Sequence, residues 1–380
     1  MSESPPPVGS ATLILRPEQL DALVAELRPL PLIAVDTEFH AERRYLPALL
    51  LVQLAAPDGR AWVIDPLAVP LTGLGPALDG KEWITHGGTQ DVRLLHAATG
   101  ALPGRLLDTQ LLAGLSGLPW PARLGDLAQA VLGEPVDKGA ALEDWSRRPL
   151  PPHQLSYALT DARVTLRLAD ALRSAPGARL DWAYAAGQEL VNDALQVNTD
   201  AQWQQLEVAA RLDGPARATL SALLAWREVE AEAQNIPPHQ IFTNPMALDL
   251  ARRAPADLGA LARNRRLPPQ LQKKHGAALV GLIQKAAHAP PPPGPTVQSL
   301  ALCRALAVWA EIAGPALGIA AGLALPEPLR GALALHGRSA LRGWRAEALG
   351  DRLVAFLDGR ELISAAGGQL RLVEAVAVPA

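Results

Sequence analysis

Leu32-Ile33-Ala34-Val35-Asp36-Thr37-Glu38-Phe39 is the stretch that decides the fold. Leu32 to Val35 form a compact apolar run of the kind a buried strand needs, and it leads straight into two acids one residue apart. Side chains two apart on a strand face the same way, so Asp36 and Glu38 converge on one point at the strand's end. Carboxylates held that close repel each other unless something neutralises them. A divalent cation is the natural partner, and hard oxygen donors suit Mg2+ or Mn2+. Alone, Asp-x-Glu carries little, because a strand end meeting solvent reads the same way.

Working outward, Thr12 to Leu15 reads as a short strand. Pro17 to Leu27 reads as a helix with Leu20, Leu23, Val24 and Leu27 on one face. Downstream, Leu49 to Ala55 and Ala61 to Ile64 are strands joined by the turn signal Pro57-Asp58-Gly59. Glu82 to Thr85 is another short strand, followed by Gly87-Gly88 and a helix from about Thr89. From Leu106 onward helices dominate, one of them spanning about Pro152 to Arg173. After about residue 205 no strand is expected until the last few residues. Ala289 to Pro295 holds four consecutive prolines and a Gly-Pro, an extended boundary segment. Leu223-Leu224-Ala225-Trp226-Arg227 before it is echoed by Leu306-Ala307-Val308-Trp309-Ala310 after it, which suggests two helical bundles in tandem.

Composition excludes several chemistries. Cys303 stands alone, so neither an intrachain disulfide nor a thiolate zinc cluster can form. Met1 to Ser10 has no basic start and no apolar core, so no signal peptide is expected and the N-terminus reads as a flexible leader. The most apolar run, Ile312 to Leu325, is short and interrupted by Gly and Pro. It reads as a buried helix pair, and a cytoplasmic, monomeric protein without a membrane span follows. The net charge of −3 hides an asymmetry: residues 1–205 carry 24 acidic and 16 basic side chains, whereas 251–285 carry eight basic and one acidic. An acidic front can hold cations and a basic segment behind it can hold phosphates, although solvated faces give the same counts.

Two further pieces bear on the acid pair. Asp91 falls in the first turn of the helix after His86-Gly87-Gly88, where an acid is also favoured by the helix dipole. The glycine pair lacks the Lys-Ser/Thr of a P-loop, and His86 reads as a satisfied loop histidine. Tyr157 and Asp161 are four apart on the long helix and share a face. There a phenol can hold a water, or simply pack.

In the order Asp-x-Glu, Asp, Tyr-x-x-x-Asp, these pieces resemble the DEDDy 3′→5′ exonucleases, and within them the bacterial ribonuclease D family. Ala34-Val35-Asp36-Thr37-Glu38-Phe39 resembles the first exonuclease motif. Leu51-Val52-Gln53-Leu54-Ala55, Ile64-Asp65-Pro66-Leu67, Asp108-Thr109-Gln110, Asp137-Lys138, Asp144-Trp145 and Arg148-Pro149-Leu150 resemble further family signatures. Thr89-Gln90 departs from the usual Ser-Glu. Ser156 stands where a sister subclass carries His. The resemblance implies that Asp36, Glu38, Asp91 and Asp161 hold two divalent ions, Mg2+ or Mn2+, and that Tyr157 positions the attacking water. Asp65, Asp108 and Asp144 read as structural acids.

Behind this, Arg211 to about Ala287 resembles an HRDC domain, and Gly343-Trp344-Arg345 resembles a second, diverged one. The expected architecture is a ribonuclease H-like α/β exonuclease domain over 11–205, a mixed sheet flanked by helices. An all-α HRDC bundle follows over 206–288, then the proline-rich linker 289–295 and a second bundle over 296–380. Arg252, Arg253, Arg263, Arg265, Arg266, Lys273 and Lys274 are the candidate phosphate contacts. The implied activity is removal of nucleoside 5′-monophosphates from RNA 3′ ends, tRNA precursors among them. A DNA exonuclease with the same acids, and a non-catalytic nucleic-acid-binding protein, are the rival readings.

Overall fold

The computed structural model describes residues 11–136, 143–196, 211–264 and 267–375. Arg265, Arg266, Asp137-Lys138 and the N-terminal leader lie outside them. Six strands form one mixed sheet: β1 (Ala11–Ile14), β2 (Leu32–His40), β3 (Ala48–Ala55), β4 (Ala61–Ile64), β5 (Glu82–Thr85) and β6 (Arg105–Asp108), in the order β1-β4-β3-β2-β5-β6. β3 runs antiparallel to both neighbours; the other pairings are parallel. Two strand expectations change. β2 does not end at the acids but continues through them to His40, paired with β3 and bulged after Glu38. Arg105 to Asp108, expected to open the helical part, is a strand, because Leu106 and Leu107 are buried on opposite faces of the sheet.

Period-two alternation divides the interior in two. Ile33, Val35, Val52, Leu54, Trp62 and Trp83 point toward α1 (Pro17–Leu27), α2 (Gly75–Leu78), α3 (Thr89–Thr99) and the end of α7 (Leu180–Leu195). Ala34, Leu51, Ala55, Val63 and Leu107 point the other way, toward α4 (Thr109–Leu115), α5 (Leu124–Leu132) and α6 (Pro152–Arg173). Asp36 and Glu38 share the α6 side with Ala34.

Residues 211–287 form five helices, Gly214–Gln234, Pro238–Ile241, Asn244–Arg253, Leu258–Ala262 and Pro269–Ala287, around a core of their own. Arg227 is buried there and donates to the Phe242 carbonyl and Asn244. Tyr45, from the β2–β3 turn, packs against this core, and Asn235 accepts from the Leu46 amide.

Residues 290–296 have no helix or strand. Beyond them lie Val297–Ala316, Ala321–Ala324, Glu327–His336 and Gly343–Leu357. The Val297–Ala316 helix is long and apolar enough, by length and composition alone, to cross a membrane. It buries Leu306, Trp309, Ala310 and Ala313 in the same core as Leu107, Leu166 and Leu172 of the sheet domain. So this segment does not close a separate interior; it completes the first one. Trp182 stacks on Trp344 at 6.1 Å, Glu189 pairs with Arg345, and Arg179 donates to the carbonyls of Leu115, Leu317 and Gly318. The last described element is a hairpin, Glu361–Ala366 with Gln369–Glu374, longer than the few final residues expected.

Candidate active site

β5 pairs with β2 only as far as Ala34 and stops at Thr85. Asp36 and Thr37 therefore stand past the end of the parallel ladder, and the chain leaving β5 turns back toward them. That turn needs its glycines. Gly87 has φ +68°, and a Cβ on Gly88 would stand 2.5 Å from the Thr85 side chain. Asp108, fully buried, locks the turn: it accepts from the Thr85 hydroxyl at 2.9 Å and the Gly88 amide at 2.9 Å while capping α4 through Gln110 and Leu111. α3 then begins with Asp91 buried in its first turn, where the helix dipole favours a carboxylate. The Thr37 hydroxyl donates to Asp91 Oδ1 at 2.5 Å.

α6 crosses the other face and buries Ala158, Leu159, Ala162 and Leu166. One turn apart on it, the Tyr157 hydroxyl donates to the Asp161 carboxylate. Trp145 packs on Tyr157 with ring centroids 6.1 Å apart.

Electrostatics join the four acids. Burial first, then the charges of Asp91, Glu38 and Asp161, hold Asp36 well above the carboxylate range. Burial, Asp161 and Asp91 push Glu38 up to about 8. Burial raises Asp91 to about 7 against the opposing bond from Thr37, and Asp108 adds to the rise. Burial raises Asp161 to about 6 against the bond from Tyr157. Burial and the neighbouring Asp161 also push the Tyr157 phenol up. Among the described residues no three His, Cys, Asp or Glu side chains close around a common point tightly enough to clasp an ion. The donor set fits divalent hard cations: it is all oxygen, and its ionisation is opposed until positive charge arrives.

The remaining candidates separate cleanly. His86 has both ring nitrogens engaged, with Thr109 and the Ala122 carbonyl at 2.9 Å each, as a satisfied histidine should. Asp65 is buried and paired with Arg148, which also donates to the carbonyls of Leu50 and Trp145, so this pair braces the fold. Asp144 accepts from the Ser146 amide and hydroxyl at the surface. Of the basic set, Arg252, Arg263 and Lys273 are exposed without an ion-pair partner among the described residues. Arg253 pairs with Asp249 at 2.9 Å and Lys274 approaches Glu230 at 3.9 Å. Between this helical region and the sheet domain lies a cleft of about 1210 Å3 lined by Tyr45, Arg93, Glu228 and Asn235 among others. Sequence reasoning gave Thr37 no role. Its only signal was a hydroxyl at a strand position whose neighbours in register are apolar or acidic.

The chain as a whole is similar to known proteins. Residues 12–175 match the 3′-5′ exonuclease family model and residues 216–283 the HRDC domain model. Ribonuclease D of Gluconacetobacter diazotrophicus is 32% identical over 96% of this chain and 97% of its own length. That of Granulibacter bethesdensis is 30% identical over 96% and 97%. Among solved structures, Escherichia coli RNase D, described as an exoribonuclease involved in structured RNA processing, superposes with a TM-score of 0.75. It is 25% identical, over 92% of this chain and 99% of that one.

Proposed function

Because the chain belongs to the ribonuclease D family and is a 3′→5′ exoribonuclease of a metal-dependent class, we propose that Asp36, Glu38, Asp91 and Asp161 hold two divalent ions, Mg2+ or Mn2+, at the end of β2. The observation that carries this is placement: β2 bears Asp36 and Glu38, the Thr37 hydroxyl ties Asp91 to the same strand, and α6 brings Asp161 near enough for its charge to act on both strand acids. When bound, the ions stabilise the attacking and leaving oxygens of an in-line phosphoryl displacement and ease deprotonation of the attacking water. The chain's own residues do the rest. Asp36 and Glu38, on one face of β2, fix the acceptor geometry. Burial and the neighbouring carboxylates push the Tyr157 ionisation up, which keeps it a phenol in the metal-free chain. It orients the water by hydrogen bonding, held in place by Trp145 and Asp161. The water oxygen bonds to phosphorus, the bond to the 3′-oxygen of the preceding nucleotide breaks, and a nucleoside 5′-monophosphate leaves.

The substrates on this reading are 3′ ends of structured RNA, tRNA precursors included, and the protein works as a cytoplasmic monomer without membrane attachment. Arg252, Arg253, Arg263, Arg265, Arg266, Lys273 and Lys274 contact phosphates, with Arg252, Arg263 and Lys273, exposed and without an ion-pair partner among the described residues, contributing most. Residues 206–288 act as an HRDC module, and 296–380, joined through 289–295, as a diverged second one that packs into the sheet domain's core instead of enclosing its own. Degradation of 3′-labelled RNA and DNA, in parallel with Mg2+, Mn2+ and chelator, tests the whole reading. RNA should shorten from the 3′ end with either ion and remain intact with chelator. Equal or faster loss of DNA would make this a DNA exonuclease, and chelator-resistant hydrolysis would remove the metal from the mechanism.

A further inference from the structure

Gln53 stands in β3 directly opposite Asp36 of β2. Paired residues of antiparallel strands share a face, with Cβ atoms about 4.5–5.5 Å apart. Its other cross-strand neighbour is Val63 of β4, and Leu51 and Ala55 flank it along β3. α6 covers this face of the sheet, so the surroundings are apolar except on the side of the acids. Gln53 is fully buried, at 0% exposure, and among the described residues neither its Oε1 nor its Nε2 has a hydrogen-bond partner. A primary amide buried this way costs free energy that a methionine or leucine of similar volume would not. The polar group directly opposite it is the Asp36 carboxylate; Glu38 and Asp65 lie on the diagonals, and Asp65 is already paired with Arg148.

We propose that Gln53 is a positioning residue for the metal site: its Nε2–H donates, directly or through one ordered water, to the Asp36 carboxylate while that group holds a cation. Ligating carboxylates are themselves held by outer hydrogen-bond donors that fix their orientation, and loss of such a donor costs ~10–100-fold in metal affinity or activity. Gln53 is the buried donor on the sheet side of Asp36. The inference rests on Asp36 being a ligand.

Gln53→Met keeps the volume and removes the amide; Gln53→Leu is the second variant. Three quantities decide: melting temperature without metal, the Mn2+ dissociation constant from titration followed by water-proton relaxation, and single-turnover cleavage across Mn2+ concentrations. The expected result is a metal-free melting temperature at or above that of the parent. Mn2+ binding should weaken by ~10–100-fold, and cleavage should recover as Mn2+ is raised. Mn2+ affinity within twofold of the parent overturns the proposal. So does a lower metal-free melting temperature in both variants, since the amide would then be satisfied within the fold. Asp36→Ala run alongside separates the two layers. If it binds Mn2+ normally, the ligand assignment fails. If it loses Mn2+ while Gln53→Met does not, only the role of Gln53 fails.

Discussion

Thr37 donates its hydroxyl to Asp91 Oδ1 and so ties the strand carrying two of the acids to the helix carrying the third. The tie crosses from β2 to α3 where β5 has already ended, so no backbone ladder does the same job. Thr37→Val keeps the side-chain shape and deletes the donor. A hydrogen bond to a buried charged acceptor is worth about 1.5–3 kcal/mol. Mn2+ binding should weaken and single-turnover cleavage should slow by about 10–100-fold. Unchanged values in both assays would show that Asp91 is placed by α3 alone.

Tyr157 and Asp161 share a helix face but should fail differently. Tyr157→Phe keeps the ring against Trp145 and removes the hydrogen bond that orients water. Turnover should fall by ~10²–10⁴, with Mn2+ affinity and RNA affinity close to the parent. Asp161→Asn should lose Mn2+ affinity together with cleavage, as should Asp36→Ala. Side-by-side single-turnover and Mn2+ titration experiments read this. A Tyr157→Phe enzyme with parental turnover would reduce the tyrosine to packing.

The raised carboxylates make metal-free stability depend on pH. Glu38, Asp91 and Asp161 titrate at about 8, 7 and 6 in the folded chain, against about 4 unfolded. Across that window the folded state binds more protons than the unfolded one, so stability falls as pH rises. The metal-free melting temperature should therefore drop steadily from about pH 4 to about pH 8, and saturating Mn2+ at pH 8 should restore it. A flat profile without metal would mean that the acids are solvated. Asp36→Ala should flatten the slope and melt higher than the parent at pH 8 without metal.

Exposed cations behind the sheet domain should act on RNA binding alone. Neutralising Arg252, Arg263 and Lys273 together should weaken binding and reduce the salt slope by about 2, at ~0.7 for each phosphate that no longer meets a cation. Turnover on saturating short oligonucleotides should hold. Arg253 and Lys274, already facing Asp249 and Glu230, should each matter less. Filter binding across a salt series measures both slope and affinity, and a parental slope would leave this face merely solvated.

Legibility varied with the kind of signal. The convergence of Asp36 and Glu38 followed from period two alone, and the shared face of Tyr157 and Asp161 from helical spacing. Asp108 was readable as a structural acid, and the structure shows it capping the helix that Thr109 and Gln110 open. The length of β2 was not, because Asp36 and Glu38 break the apolar run while backbone pairing with β3 carries on past them. β6 was hidden because Leu106 and Leu107 precede Leu111, Leu112 and Leu115 at spacings that also suit a helix, so Arg105 to Asp108 read as part of the helix that follows it. The role of Thr37 and the idle amide of Gln53 depend on cross-strand register, which no local pattern encodes. The tandem echo of Trp226 and Trp309 suggested equivalent bundles. Trp226 does stack within its own helices on Phe242, but Trp309 is buried in the sheet domain's interior and donates to Glu361.

That last difference governs which pieces of this chain can be inherited separately. The helices from Gly214 to Ala287 enclose their own interior and touch the sheet domain through contacts as small as Tyr45 and Asn235, so a cognate module from another lineage can replace them at modest cost. A crossover at the proline run offers no such freedom. It would set Leu306, Trp309 and Leu353 from one ancestor against Leu107, Leu166 and Leu172 from another, two halves of a single jigsaw cut by different hands. A substitution on either side of that shared interior therefore has to be matched across it, whereas the core of the helices from Gly214 to Ala287 can be repacked by itself.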